Sequence, residues 1–128
     1  MLTPKFLSTT EVLQLHEDQI ASFGGSSGIR DPGLLDSALA QPQATFGGEL
    51  LHKTLEEQAA AYLYHLATNH PFIDGNKRTA FAAMDTFLRV NKYQLQLTDN
   101  EAYQLVLRVA EGSLAKVEIV KMIKLMLK

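Results

Sequence analysis

The chain has 128 residues, a net charge of -2, 46% hydrophobic and 20% charged residues, and no cysteine. This suits one soluble globular domain over residues 1–128 with a usable core. It speaks against a nucleic-acid binder held mainly by phosphate contacts, and it excludes disulfides, thiolate zinc sites and cysteine nucleophiles.

The opening MLTPKFLSTTEV has no apolar signal core, and no run reaches the ~18 apolar residues of a membrane span. The expected location is therefore the cytoplasm, away from membranes. Ser8 and Glu11 form a capping-box pattern ahead of Val12, Leu13, Leu15 and Ile20, which predicts a first helix. FGGSSG, residues 23–28, stops it as a flexible loop. Asp31-Pro32 reads as an N-cap followed by proline at the first helical position. The helix it starts carries Leu34, Leu35, Ala38 and Leu39 and ends before Pro42. Residues 41–53, QPQATFGGELLHK, allow a short hairpin around Gly47-Gly48.

Thr54 with Glu57 caps a third helix whose stripe is Leu55, Ala59, Tyr62, Leu63 and Leu66. Tyr62 reads as core and Tyr64 as surface. The helix ends at Asn69-His70-Pro71, because the residue before proline disfavours helix. A fourth begins near Asp74 or Gly75, with Phe81, Met84, Phe87 and Leu88 as its apolar stripe. Thr98 with Glu101 caps a fifth, and Gly112 stops it. From Ser113 a last amphipathic helix runs, with Val117, Val120, Ile123 and Leu127 on one side. Lys116, Lys121, Lys124 and Lys128 fall mostly on the other. The expected fold is an all-α, compact bundle of about six helices with a hairpin-like flap before the central ones.

The chemistry concentrates in HPFIDGNKRTAF, residues 70–81. A helix start offers unpaired N–H groups and the positive end of the dipole to an anion. Gly75 permits close approach of a ligand to the backbone. Lys77, Arg78 and the Asn76 amide add donors. Asp74 is a hard oxygen ligand of the kind magnesium uses beside phosphates. His70 carries an imidazole, a side chain that can act as a base. These parts suit phosphoryl or nucleotidyl transfer, which needs positioning and charge stabilisation above all. Each residue alone also has a plainer reading. Asp74 could be only an N-cap paired with Arg78 four residues on, the two cations could be solvated surface, and His70 a helix-end group. Pro71 and Phe72 read as a helix stop and a core anchor. His65 and His70 lack the spacing of a helical metal pair.

HPFIDGNKRTAF resembles the signature of the Fic/Doc family, His-x-Phe-x-Asp/Glu-Gly/Ala-Asn-Lys/Gly-Arg, at every defined position. GIRDPGLLDSALAQPQATFGG, residues 28–48, is similar to the stretch before the signature in its death-on-curing (Doc) branch. The resemblance implies a Fic/Doc fold and a toxin of a toxin–antitoxin pair. It makes His70 the base that takes a proton from a target hydroxyl. Asp74 would hold Mg2+ on the phosphates of ATP, and Gly75, Asn76, Lys77 and Arg78 would form the anion hole. Phe72 would anchor the loop, and residues 43–52 would be a flap that aligns a target peptide by strand addition.

AMP-transferring members usually have glycine at the position of Lys77 and a second arginine soon after the first. Here Thr79, Ala80 and Phe81 follow Arg78, and Phe81 reads as core. Doc-type proteins share the lysine and lack that arginine, which implies a protein kinase that transfers the terminal phosphate to a Ser/Thr hydroxyl. Gly75 departs from the Doc pattern, which has alanine, so AMP transfer stands as the alternative, with a catalytically silent binding module as a third. The target in the family is elongation factor Tu. The nearest match to the family's self-inhibitory motif, LRVAEG at residues 107–112, has Leu107 in place of the hydroxyl. The implied partner is therefore a separate Phd-like antitoxin, with no direct nucleic-acid contact.

Overall fold

The computed structural model describes residues 3–128. Among them are six helices and one two-stranded hairpin: α1 Thr9–Phe23, α2 Pro32–Ala40, β1 Thr45–Phe46, β2 Glu49–Leu50, α3 Leu55–Asn69, α4 Asn76–Val90, α5 Asp99–Ala110 and α6 Lys116–Met126. The strands pair antiparallel around Gly47-Gly48, with Thr45 opposite Leu50 and Phe46 opposite Glu49. The mostly helical fold and the hairpin match the expectation.

The helix starts follow the local chemistry. Ser8 with Glu11, Thr54 with Glu57 and Thr98 with Glu101 each close a reciprocal capping box, and Asp31 caps α2 through the Leu34 N–H. Each box satisfies two backbone donors that would otherwise lack partners.

α3 packs against α2, α4, α5 and α6, while α1 lies on α4. The single apolar stripe expected for α3 is too narrow. Gln58 through Leu63 are all fully buried, because neighbours cover α3 on several sides. Ala59, Ala60 and Ala61 are the small residues that let those neighbours approach. Tyr62 reaches across to the N-terminal segment, where its hydroxyl accepts from the Leu7 N–H at 2.8 Å, and burial pushes its phenol up to about 12.

α6 departs from the expectation. Its N-cap is Ala115, not Ser113. The buried face is Ile119 and Ile123, and Val117 is 67% exposed. Leu114, just ahead of the cap, is buried and fixes the helix in that rotation. Leu127 lies past the helix in extended backbone and bridges to Leu95.

Candidate active site

The loop between α3 and α4 is where the chain turns its polar residues outward. His70 ends α3 in a left-handed conformation (φ 49, ψ 55) that non-glycine residues seldom adopt. Arg30, from the segment before α2, holds it there. The guanidinium donates to the carbonyls of His70 (2.7 Å) and Asn69 (3.0 Å) at the open end of α3. The flanking backbone is stitched too: the N–H groups of Arg30 and Asp31 donate to Pro71 O, and Ile73 N–H donates to Gly28 O. With its backbone so fixed, the His70 side chain stands exposed.

Phe72 is buried, as an anchor should be. The Asn76 amide clasps it from both sides: Oδ1 accepts from Phe72 N–H at 2.9 Å, and Nδ2 donates to Phe72 O at 3.0 Å. Much of the Asn76 hydrogen-bonding capacity is therefore spent on the loop, and one amide proton remains. His16 of α1 lies flat on the Phe72 ring, with centroids 3.9 Å apart and 7° between planes. Its Nε2 donates to the Asp74 carbonyl at 2.8 Å.

Asp74 faces outward, its Oδ2 accepting from Ser26 N–H (3.2 Å) and its Oδ1 from Gly75 N–H (2.8 Å). These bonds, first Ser26 and then Gly75, hold the carboxyl below the usual carboxylate range, with the nearby Arg78 charge adding to them. Gly75, at φ 74, is the N-cap of α4 and offers no side chain to its first turn. Of the two backbone donors that a capping box closes in α1, α3 and α5, the Gly75 N–H is taken at α4 by Asp74 Oδ1, and the donors of the first turn beyond it receive no side chain from the N-cap. A Cβ on Gly75 would come within 3.1 Å of Ile20 Cδ1.

Arg78 lies at the same end. Nη2 donates to Gly24 O (3.0 Å) and Nη1 to Gln19 O (3.3 Å), and the guanidinium carbon sits 5.8 Å from the Phe23 ring centre. Anchored on the last turn of α1, it keeps guanidinium donors to spare and does not form the simple i,i+4 pair with Asp74. Lys77 is exposed.

These residues open onto a cavity of about 700 Å³ that includes His70, Asp74, Gly75, Asn76, Lys77 and Arg78 in its wall. That volume lies in the range of small-molecule sites, roughly 300–1,000 Å³. Phe81, expected as core, packs against the core but is only partly buried, and its open side lines the cavity. The opposite wall is Asp99, Ala102, Tyr103 and Val106 of α5. All six polar and glycine positions singled out in the motif therefore share one cavity wall, with Phe72 behind them.

Several contributors lie outside the motif. His16 carries a signal in the sequence, since Val12, His16 and Ile20 fall at i, i+4 and i+8 on one buried face. Nothing in linear order sets Arg30, Ser26 or Tyr103 against the loop.

The Fic/DOC family model matches residues 6–88. Toxin Doc of Mycolicibacterium smegmatis (strain ATCC 700084 / mc(2)155) is 54% identical over 74 residues, which are 58% of this chain and 57% of that protein. Protein kinase doc of Escherichia phage P1 is 33% identical over 111 residues, which are 87% of this chain and 86% of that protein. The chain thus spans little more than half of the mycobacterial relative and most of the phage one.

Proposed function

The chain belongs to the Fic/DOC family, and on that premise we propose that it is the toxin of a toxin–antitoxin pair, a Doc-type kinase that phosphorylates a Ser/Thr hydroxyl of a target protein from ATP. The observation that carries this reading is the uncapped start of α4, which opens with Asp74, Lys77, Arg78 and His70 onto a nucleotide-sized cavity. The relatives named as a toxin and as a protein kinase support it.

In this reading the free N–H groups of the first turn of α4, Lys77 and the spare donors of Arg78 hold the phosphate oxygens. His70 accepts the proton of the target hydroxyl as that oxygen bonds to the terminal phosphorus. The bond from phosphorus to the bridging oxygen breaks, and ADP leaves. An exposed carboxylate held in its ionised form by two N–H groups fits a divalent cation, so Asp74 is the residue that would hold Mg2+. Bound there, the metal would neutralise phosphate charge. The hairpin of residues 45–50 is the flap that receives the target segment by strand addition. The target class is a translation factor such as elongation factor Tu, and the partner is a separate Phd-like antitoxin in the cytoplasm. No helix among the described residues is long and apolar enough to cross a membrane.

AMP transfer is the second reading, kept by Gly75, which stands where the Doc pattern has alanine and AMP-transferring members have glycine. ATP labelled on the terminal or on the innermost phosphate separates the two in a bacterial lysate. Label passing to protein from the terminal phosphate supports the kinase. Label passing only from the innermost phosphate rejects it in favour of AMP transfer.

A further inference from the structure

We propose that His16, outside the signature motif, is a positioning residue that acts through Asp74 and sets the affinity of the site for a divalent cation. This rests on the reading of Asp74 as the metal-holding carboxylate. A carboxylate that must meet a cation beside phosphates works only if its oxygens are aimed before the ligand arrives. The direction of the Asp74 side chain is set by its backbone and by what its oxygens touch, and α1 with its following loop supplies most of both.

His16 is buried and makes two contacts with the loop. Its ring stacks on Phe72, and its Nε2 reaches the Asp74 carbonyl at 2.8 Å. A carbonyl only accepts, so Nε2 carries the proton and the imidazole is held in one orientation. Phe72 is clamped in turn by the Asn76 amide, so the His16 ring has a rigid surface to lie on. From the same helix, Ile20 Cδ1 would lie 3.1 Å from a Cβ at Gly75, which leaves that residue little room to shift. The loop after α1 brings Ser26 N–H to Asp74 Oδ2, and Gly25 lies so close that a Cβ there would sit 2.5 Å from the same oxygen. Backbone and carboxylate of Asp74 are thus gripped by adjacent pieces of chain, and His16 holds the backbone half. A second grip, by Arg30, holds the carbonyl of His70 and does not touch Asp74. His16 and Arg30 therefore separate the metal side of the loop from the base side.

The test uses Mn2+ as the probe, with a non-hydrolysable ATP analogue. Binding is read from the electron-spin resonance signal of the free ion, and melting by circular dichroism serves as the fold control. His16→Phe keeps a ring on Phe72 and loses the donor, and it is expected to weaken Mn2+ binding about tenfold, the low end for loss of a residue supporting a metal ligand. His16→Gln keeps an amide donor and is expected to recover part of that loss. In transfer assays His16→Phe should regain activity at high Mg2+, whereas His70→Ala should not. If His16→Phe does not melt cooperatively, His16→Met carries the same comparison. Wild-type Mn2+ affinity in the folded variant overturns the proposal while leaving the reading of Asp74 intact. Unchanged affinity in Asp74→Asn overturns that reading and the proposal together.

Discussion

α3 and α4 are both 15-residue helices packed side by side at the centre of the molecule, yet their first turns meet the same backbone problem in opposite ways. At α3, Thr54 and Glu57 exchange hydrogen bonds of 3.1 and 3.2 Å and close the end from within. At α4, Gly75 supplies nothing, Asp74 turns its oxygens to Ser26 and Gly75, and the free donors face a cavity beside two cations. A closed helix start stabilises the fold, while an open one next to cationic side chains can accept an anion. The start of α6 at Ala115 also lacks an N-cap side chain, so it is the cavity and the cations beside the open end, and not the missing cap alone, that set α4 apart.

The largest expected effect falls at the open end. His70→Ala should lower transfer by about 10²–10⁴-fold, the usual worth of a general base, with an unchanged melting temperature because the side chain is exposed. Radiolabel transfer and thermal melting on the same preparation check both halves. Gly75→Ala comes next. A Cβ at φ 74, against Ile20, should cost about 1–2 kcal/mol of stability and slow transfer as well. Denaturant titration measures the first and steady-state kinetics the second; unchanged values would show that the loop yields easily.

Thr54→Ala should cost about 1 kcal/mol in denaturant unfolding and leave the transfer rate per folded molecule unchanged. A loss of activity there would break the contrast between a structural start and a functional one. The smallest effect concerns His65, at the other end of α3. Burial, followed by the charge of Lys116 and by His52, pushes its imidazole down to about 4, and Lys116 Nζ lies 3.1 Å from its Nε2. The folded state thus favours the neutral ring. That contribution is complete above the ordinary value of 6.5 and is lost as the pH falls from there through about 4. His65→Gln keeps an acceptor for Lys116 and removes the titration, so its melting temperature should fall less than that of the native chain over this window. Parallel curves for the two would reject the assignment.

His65 and His70 also show where linear reading stops. Both are histidines five residues apart at the C-terminal end of one helix, yet one is half-buried against a lysine and the other stands in the cavity wall. The difference comes from α6, which covers one side of α3 and leaves the other end open.

Features that depend on a few neighbouring residues were legible in the sequence. The three capping boxes, the Asp31-Pro32 start, the Gly-Gly hairpin and the motif at residues 70–78 all act within one turn of backbone, so spacing alone reveals them. The tertiary structure decided what depends on contacts across many residues. It buried α3 on several sides, turned Val117 to solvent, and set Phe81 in the wall of the cavity. It also brought His16, Ser26 and Arg30 onto a loop more than forty residues away, save Arg30, which lies 40 from His70. Those placements follow from how helices stack around a shared core, which no local pattern specifies.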